Sequence, residues 1–284
     1  MRRKVLFLIV ILALTPALYG QTVVTLKNSF IEQYKNRATI DATFNVDHTS
    51  AIHPASQDGD IHIAGRAKEI GWHGVAEIMN AKTEKNQAVK TVKSVEGKET
   101  SPLQITGAWR IWSEHGGQIV ETQGESSEPL DSSGAAHVFQ IHPVSQADGR
   151  SLAHTFVPTA GYPFKDADTA FTTYERTGCQ IVPHGDTTTI ITSKVGYNYT
   201  EFVMVLNESP NTITDGTMVF ADVETLQGES IVKHRRMVFV KDTEPETAVK
   251  GMSRAAPARD RHPADRSFAG VLAGGHGGRS DSEG

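Results

Sequence analysis

Residues 38–47, ATIDATFNVD, alternate apolar and polar side chains over most of their length. The apolar residues of this alternation are Ile40, Ala42, Phe44 and Val46. Successive side chains of a β-strand point to opposite sides, so the pattern predicts a strand with one buried face. The preceding stretch, NSFIEQYKNR at 28–37, spaces its apolar residues as a helix does. The folded part of the chain therefore opens with a helix followed by a half-buried strand.

Four more segments read as strands of the same domain. They are IHIAGRA at 61–67, GVAEIMNA at 74–81, LQITGAWRIW at 103–112 and HVFQIHPV at 137–144. Between the third and fourth strands, residues 82–99 carry Ala88, Val89, Val92 and Val95 at three- and four-residue steps, which predicts a short amphipathic helix. Five strands with a helix after the third have the connectivity of the OB barrel. We therefore expect a mainly β chain that begins with an OB-like five-stranded barrel.

A second unit begins near residue 160. A helix is predicted over 166–178, where an aspartate can cap the start and a glycine follows the end. Strand-like segments separated by turn residues follow as far as residue 241. We expect an OB-like barrel domain over 28–155 and an antiparallel β-rich domain over 160–250.

The tail at 253–284 has a different composition from the rest of the chain. It is rich in Arg, Ala, Gly, Pro and Asp and lacks Lys, Thr, Asn, Gln, Ile and Tyr. This bias predicts disorder. A shifted reading frame is an alternative origin, because these residues favour GC-rich codons.

The amino terminus has the pattern of a secretory signal peptide at 1–20. Three basic residues precede the apolar run VLFLIVILAL, and small residues lead to a cleavage position near Gly20. The run is shorter than the roughly 20 residues that a membrane span needs. We expect a secreted or periplasmic protein with no membrane span after cleavage.

Charge and cysteine content narrow the class of protein further. The formal charge is −5, and it becomes −8 once the three basic residues of the signal are removed. A negative chain lacks the basic face that nucleic-acid binding needs. The single cysteine, Cys179, allows no internal disulfide. Export without disulfides favours a bacterial envelope or periplasm over a small eukaryotic secreted domain.

Several strings in the chain are distinctive. They are DGDIHIAGRAKEIG, VAEIMNA, ITGAWRIWSEH, HVFQIHPV and VKHRRMVFVK. Together they resemble a group of exported bacterial proteins to which no activity is assigned, over about residues 28–250. The resemblance implies a shared fold and export, and it implies no reaction or catalytic residue. The tail after Met252 does not share it.

The stretch QDGDIHIAGRA at 57–67 is the strongest candidate for chemistry. Asp60 and His62 would share a strand face with Asp58 close by, and His142 at another strand is the natural distant partner. Two carboxylates and imidazoles can ligate a divalent cation. The simpler interpretation is a turn at Asp58–Gly59, with Asp60 accepting backbone hydrogen bonds and His62 pointing outward, exposed. Asp58, Asp60 and Glu77 also resemble part of the acidic cluster of staphylococcal-type nucleases, although the arginine and D-x-P-E portions are missing.

Other residues could form a binding surface. Trp109, Arg110 and Trp112 lie in one predicted strand, and an exposed Trp beside an Arg could stack on a sugar or base. Arg235 lies in the basic run KHRR, which is either an anion site or a solvated strand face. Core packing is the alternative role for the tryptophans.

The sequence contains no G-x-S-x-G, H-E-x-x-H, Walker or paired C-x-x-C motif. It leaves the catalytic residues unknown and does not decide whether the protein is an enzyme. It favours a non-catalytic binding or envelope-associated module without a cofactor. Its ligand would be an oligomeric polymer or an envelope component. The alternative is a metal-dependent hydrolase or nuclease that holds a divalent metal with Asp58, Asp60, His62 and His142.

Overall fold

The computed structural model describes residues 22–84, 87–114, 119–124, 128–176, 179–192, 197, 199–252 and 267–270. At 112–114, 174–176 and 267–270 the description covers the backbone alone. The predicted signal peptide and most of the predicted tail lie outside these residues. Within the described part of the chain, no helix is both long and apolar enough to cross a bilayer.

The described residues are mainly strand, with short helices between the strands. The strands are β1 (Thr22–Lys27), β2 (Ile40–Thr49), β3 (Ile61–Ala67), β4 (Trp72–Ile78), β5 (Leu103–Glu114), β6 (Ile119–Thr122), β7 (His137–Ala147), β8 (Arg150–Ser151), β9 (Lys165–Asp166), β10 (Cys179–His184), β11 (Thr187–Thr192), β12 (Thr200–Leu206), β13 (Asn211–Ile213), β14 (Gly216–Glu224), β15 (Ser230–Val240) and β16 (Ser267–Gly270). The helices are α1 (Asn28–Tyr34), α2 (Ala81–Glu84), α3 (Ala88–Val95), α4 (Ala167–Arg176) and α5 (Glu244–Lys250).

Five strands close into a barrel in the order β4-β3-β2-β5-β7. The parallel pairing of β4 with β7 closes the ring, and the other neighbours are antiparallel. Helices α2 and α3 fall between β4 and β5, the third and fourth strands of the barrel. This is the OB connectivity, so the predicted fold class is confirmed.

The barrel interior is filled by the apolar face that the alternation predicts. Phe44, Trp72 and Phe139 are among its largest fully buried side chains, and Trp72 meets Phe139 edge to face at 6.0 Å. Gly74 permits the closure of the barrel, because a Cβ there would stand 2.5 Å from the backbone oxygen of Phe139 on β7. A side chain at this position would hold β4 and β7 apart.

Two further sheets pack beside the barrel. One has the order β10-β11-β1-β6, and the other contains β13-β14-β12-β16, with β15 on β14 and β9 on β12. The hairpin of β10 and β11 therefore pairs with β1, the first strand described, across the boundary expected near residue 160. Four residues of the predicted tail form β16 and pair with β12.

Candidate metal centre

Polar side chains from three neighbouring strands meet on the outer face of the barrel. His62 on β3 is the direct cross-strand partner of Glu77 on β4. The parallel register between β4 and β7 sets Glu77 beside His142. Asp60 immediately precedes β3, and its carboxylate contacts the His142 imidazole. These four groups share one surface because the alternate side chains of the same strands fill the core.

Three donor atoms of this cluster are spaced as ligands around one cation would be. His142 Nε2 lies 3.2 Å from Asp60 Oδ2 and 3.6 Å from Glu77 Oε2. One donor atom from each of the three residues lies within 4.8 Å of the other two. Donors around a tetrahedral zinc ion, with bonds of about 2.0–2.1 Å, stand about 3.3 Å apart. We call Asp60, Glu77 and His142 the inner set.

The inner set is shielded from solvent. Asp60, Glu77 and His142 are exposed to only 0, 1 and 2%. Burial, followed by the charges of Asp58 and Glu77, raises the pKa of Asp60 well above its usual range. Burial and the positive charge of Arg110 hold the pKa of His142 well below its usual range. His142 is therefore a neutral imidazole, which is the form that ligates metals.

A second set of donors, His53, Asp58 and His62, lies against the inner set. His53 Nδ1 is 3.0 Å from Asp58 Oδ1, and the rings of His53 and His62 are 4.5 Å apart. The three donor atoms lie within 4.8 Å of one another. The side chains of His53 and Asp58 are 25% and 14% exposed. We call these residues the outer set, because this side of the cluster reaches solvent.

The turn that the sequence predicts is present as well. The backbone N–H of Asp60 donates to Asp58 Oδ1 at 3.1 Å, and Asp60 Oδ1 accepts from the backbone N–H of Asn80 at 3.2 Å. Asp58 has a φ of 128°, which is unusual for a residue with a side chain. The turn thus holds both carboxylates in place, and the turn and the cluster are one feature.

The segment at 152–160 lies against the turn that carries Asp58 and against Asn80. Asn80 Nδ2 donates to the backbone oxygens of Thr155 and Val157, at 3.0 and 2.7 Å. Thr159 Oγ1 donates to the backbone oxygen of Asp58 at 2.7 Å and lies 3.3 Å from the Tyr199 hydroxyl. Burial, followed by the negative charge of Asp60, raises the pKa of Tyr199.

All four predicted metal ligands thus lie in this cluster. Asp60 and His142 belong to the inner set, and Asp58 and His62 belong to the outer set. The expectation of an exposed His62 is wrong, because its side chain is 8% exposed. It does lie on the outer face of the barrel, but the His53 loop and Glu77 cover it.

The predicted binding residues do not form one surface. Trp109 packs against the core and stacks on Phe139 at 5.8 Å. Arg110 is 3% exposed and donates to Gln140 Oε1 at 2.6 Å. Core packing, the alternative role given for the tryptophans, therefore describes Trp109, and Arg110 belongs to a buried polar contact that the sequence did not predict. Arg235 is half-buried on β15, in another sheet, and burial lowers its pKa. The side chain of Trp112 lies outside the described residues.

Sequence reasoning did not identify His53 as a ligand, and it named Glu77 only in the comparison with nucleases. The signal for Glu77 is its position in β4, because the antiparallel register with β3 sets it opposite His62. His53 lies in a loop, where no periodicity indicates which way a side chain points.

The fold and the cluster together define an OB-like barrel protein with a buried carboxylate–histidine site on its outer face. Comparison of the chain with protein-family models, curated proteins and solved structures finds no match.

Proposed function

We propose that this protein is an exported, non-catalytic metal-binding module whose inner set holds one divalent transition-metal ion. The observation that carries the proposal is the convergence of Asp60, Glu77 and His142, from the turn before β3 and from β4 and β7, at ligand-like spacing. The donor composition favours Zn²⁺ or Mn²⁺. Ca²⁺ is disfavoured because it takes six to eight oxygen ligands.

Charge supports a cation at this position. Asp60 and Glu77 are both buried and the imidazole of His142 is neutral, and the positive charge of Arg110 lowers the pKa of Asp60 by less than burial raises it. Burying a carboxylate is costly unless a partner offsets its charge, and otherwise the group protonates. A divalent ion would stabilise both carboxylates in their ionised form.

Closure of the inner set supports a structural role over a catalytic one. Structural zinc sites are enclosed and have four protein ligands, whereas catalytic sites have three and keep a fourth position open for water or substrate. The inner set has three ligands, so the burial of these residues is what favours the structural role. Segment 152–160 adds to this enclosure beside the cluster, where Thr155 accepts from Asn80 and Thr159 donates to the backbone oxygen of Asp58. An ion in the inner set would therefore join β4 and β7 to the turn that precedes β3.

A metal-dependent hydrolase is the second candidate, and one observation favours it. His53 and Asp58 are partly exposed beside the inner set, so a substrate could approach from that side. Turnover that is abolished by chelation and restored by one metal would distinguish this candidate from the structural role.

Export is part of the proposal. The basic and apolar pattern at 1–20 supports it, and mass spectrometry of the mature amino terminus would test it. An intact Met1 on protein recovered from the membrane fraction would contradict it.

Metal analysis of gently purified protein tests the proposed function. We expect the wild type to carry Zn²⁺ or Mn²⁺. Added metal at about 100 times Kd should stabilise the chelated protein by about 2.7 kcal/mol, which raises the melting temperature by roughly 5–10 °C. His142→Ala should bind at least about 100-fold more weakly, since loss of a mere supporting contact already costs 10–100-fold.

His154→Ala is the matched control for that variant. His154 is also paired with a carboxylate, 2.6 Å from Glu84 Oε1, but its side chain is 61% exposed. This variant should keep the metal and the thermal shift. A wild-type protein with neither bound metal nor a metal-induced shift would refute the proposed function.

A further inference from the structure

The outer set has the composition of a second metal site. His53, Asp58 and His62 supply two imidazoles and one carboxylate, a common ligand combination for Zn²⁺ in proteins. His53 Nδ1 and Asp58 Oδ1 are 3.0 Å apart, close to the spacing of neighbouring ligands. The arrangement is more than a single hydrogen-bonded pair, because the His62 ring closes the third side.

Glu77 connects the outer set to the inner set. Its Oε2 lies 3.5 Å from His62 Nε2 and 3.6 Å from His142 Nε2, so one oxygen faces an imidazole of each set. The backbone also joins the sets, because the N–H of Asp60 donates to Asp58 Oδ1. In two-metal sites the ions stand about 3.5–4 Å apart, which requires shared or adjoining ligands of this kind.

The backbone holds the outer set in place without a cation. The N–H of His53 donates to the backbone oxygen of Asp60 at 2.8 Å. Thr159 fixes the backbone oxygen of Asp58, and the unusual φ of Asp58 orients its carboxylate towards His53. Ligands held this way lose little freedom when an ion binds.

We infer that the outer set binds a second divalent transition-metal ion, so that the cluster is a two-metal centre in which Glu77 faces both ions. This inference rests on the proposed function, because it adds an ion to the one in the inner set. Partial exposure of His53 and Asp58 leaves room at the second ion for water or an anionic oxygen ligand. The inner ion is enclosed, so the second ion is the one that exchanges with solvent.

Titration of chelator-treated full chain with Zn²⁺ tests the inference. Calorimetry and metal analysis after gel filtration should give two ions per chain, the second bound more weakly because it approaches an ion already present. His53→Ala should bind one ion. His53→Gln, which keeps a hydrogen-bond donor towards Asp58, is the second variant should the alanine variant not fold. His154→Ala should bind two.

The possible results separate this inference from the proposed function. Two ions in the wild type and one in the His53 variant support both. One ion in the wild type, lost in His142→Ala and kept in the His53 variant, overturns the second site alone. One ion lost in either variant indicates a single site made from both sets and also overturns the inference. No ion in the wild type refutes both.

Discussion

Asp60 has two roles that one substitution can separate. It accepts a backbone hydrogen bond from Asn80, and it faces His142 as a prospective ligand. Asp60→Asn keeps an oxygen for Asn80 and removes the charge. We expect this variant to fold and to lose the inner metal ion.

Without metal, Asp60→Asn should be at least as stable as the wild type. A neutral amide avoids the penalty of burying a carboxylate, so the melting temperature at pH 7 should stay equal or rise, by about 2–4 °C for each kcal/mol gained. Thermal unfolding with and without a chelator measures both effects. A variant that retains the metal, or that melts well below the chelated wild type, would show that Asp60 acts only within the turn.

The candidate site was partly predictable at the residue scale. Alternation along β3 places Asp60 and His62 on one face, and the strand order of an OB barrel brings β7 beside β4. Burial of that face was not predictable, because distant segments cover it. One of these segments carries Leu130, which packs on Ala64 and Val75. No local pattern shows that a loop will return to a particular strand.

At the scale of elements, the turn between β13 and β14 attaches the sheet that contains these two strands to the start of β2. Asp215 in this turn accepts from the backbone N–H groups of Ala38 and Thr39, both at 2.9 Å, and from Arg37 Nε at 2.8 Å. Burial alone would raise the pKa of Asp215, but these hydrogen bonds outweigh it and the pKa is lowered. The ionised carboxylate is therefore stabilised by folding.

Asp215→Asn should remove this stabilisation in a pH-dependent way. Its amide nitrogen would face donors, and hydrogen bonds to a charged group are each worth about 1.5–3 kcal/mol, so we expect a loss of that order at pH 7. A lowered folded pKa gives stability that is present above the unfolded pKa of about 3.9 and lost as pH falls through the folded pKa.

Urea unfolding at pH 7 and pH 3 measures this loss. The free energy of unfolding of Asp215→Asn should be lower than that of the wild type at pH 7, and the difference should be smaller at pH 3. Asp131→Asn is the control, because Asp131 is exposed, and it should change stability by less than about 0.5 kcal/mol. Equal stability of Asp215→Asn and the wild type at pH 7 would contradict this account.

Strand positions were predictable at this scale, and some strand partners were not. The segments at 179–183 and 187–195 read as strands, and β10 and β11 form there. The second partner of β11 is β1, which lies more than 150 residues earlier in the chain. Alternation reports which face of a strand is buried, and it carries no information about which distant edge the strand will join.

At the scale of the whole molecule, the pairing of β11 with β1 joins the first described strand to a hairpin that follows the barrel in sequence. Six residue pairs form the antiparallel ladder from Thr22–Thr192 to Lys27–Thr187, and Val24 and Leu26 on β1 are buried in the barrel core cluster. The barrel region therefore depends on a hairpin that follows it in sequence. Removing the hairpin would leave β1 with one long edge unpaired.

Two truncated chains test this dependence. A fragment of residues 22–156 contains the barrel strands but lacks β10 and β11, whereas 22–192 includes them. We expect 22–156 to have a lower urea midpoint than 22–192 and to exchange its β1 amides faster, because the ladder to β11 supplies the hydrogen bonds on one side of that strand. Equal midpoints and equal amide protection would show that the barrel region folds independently of the hairpin.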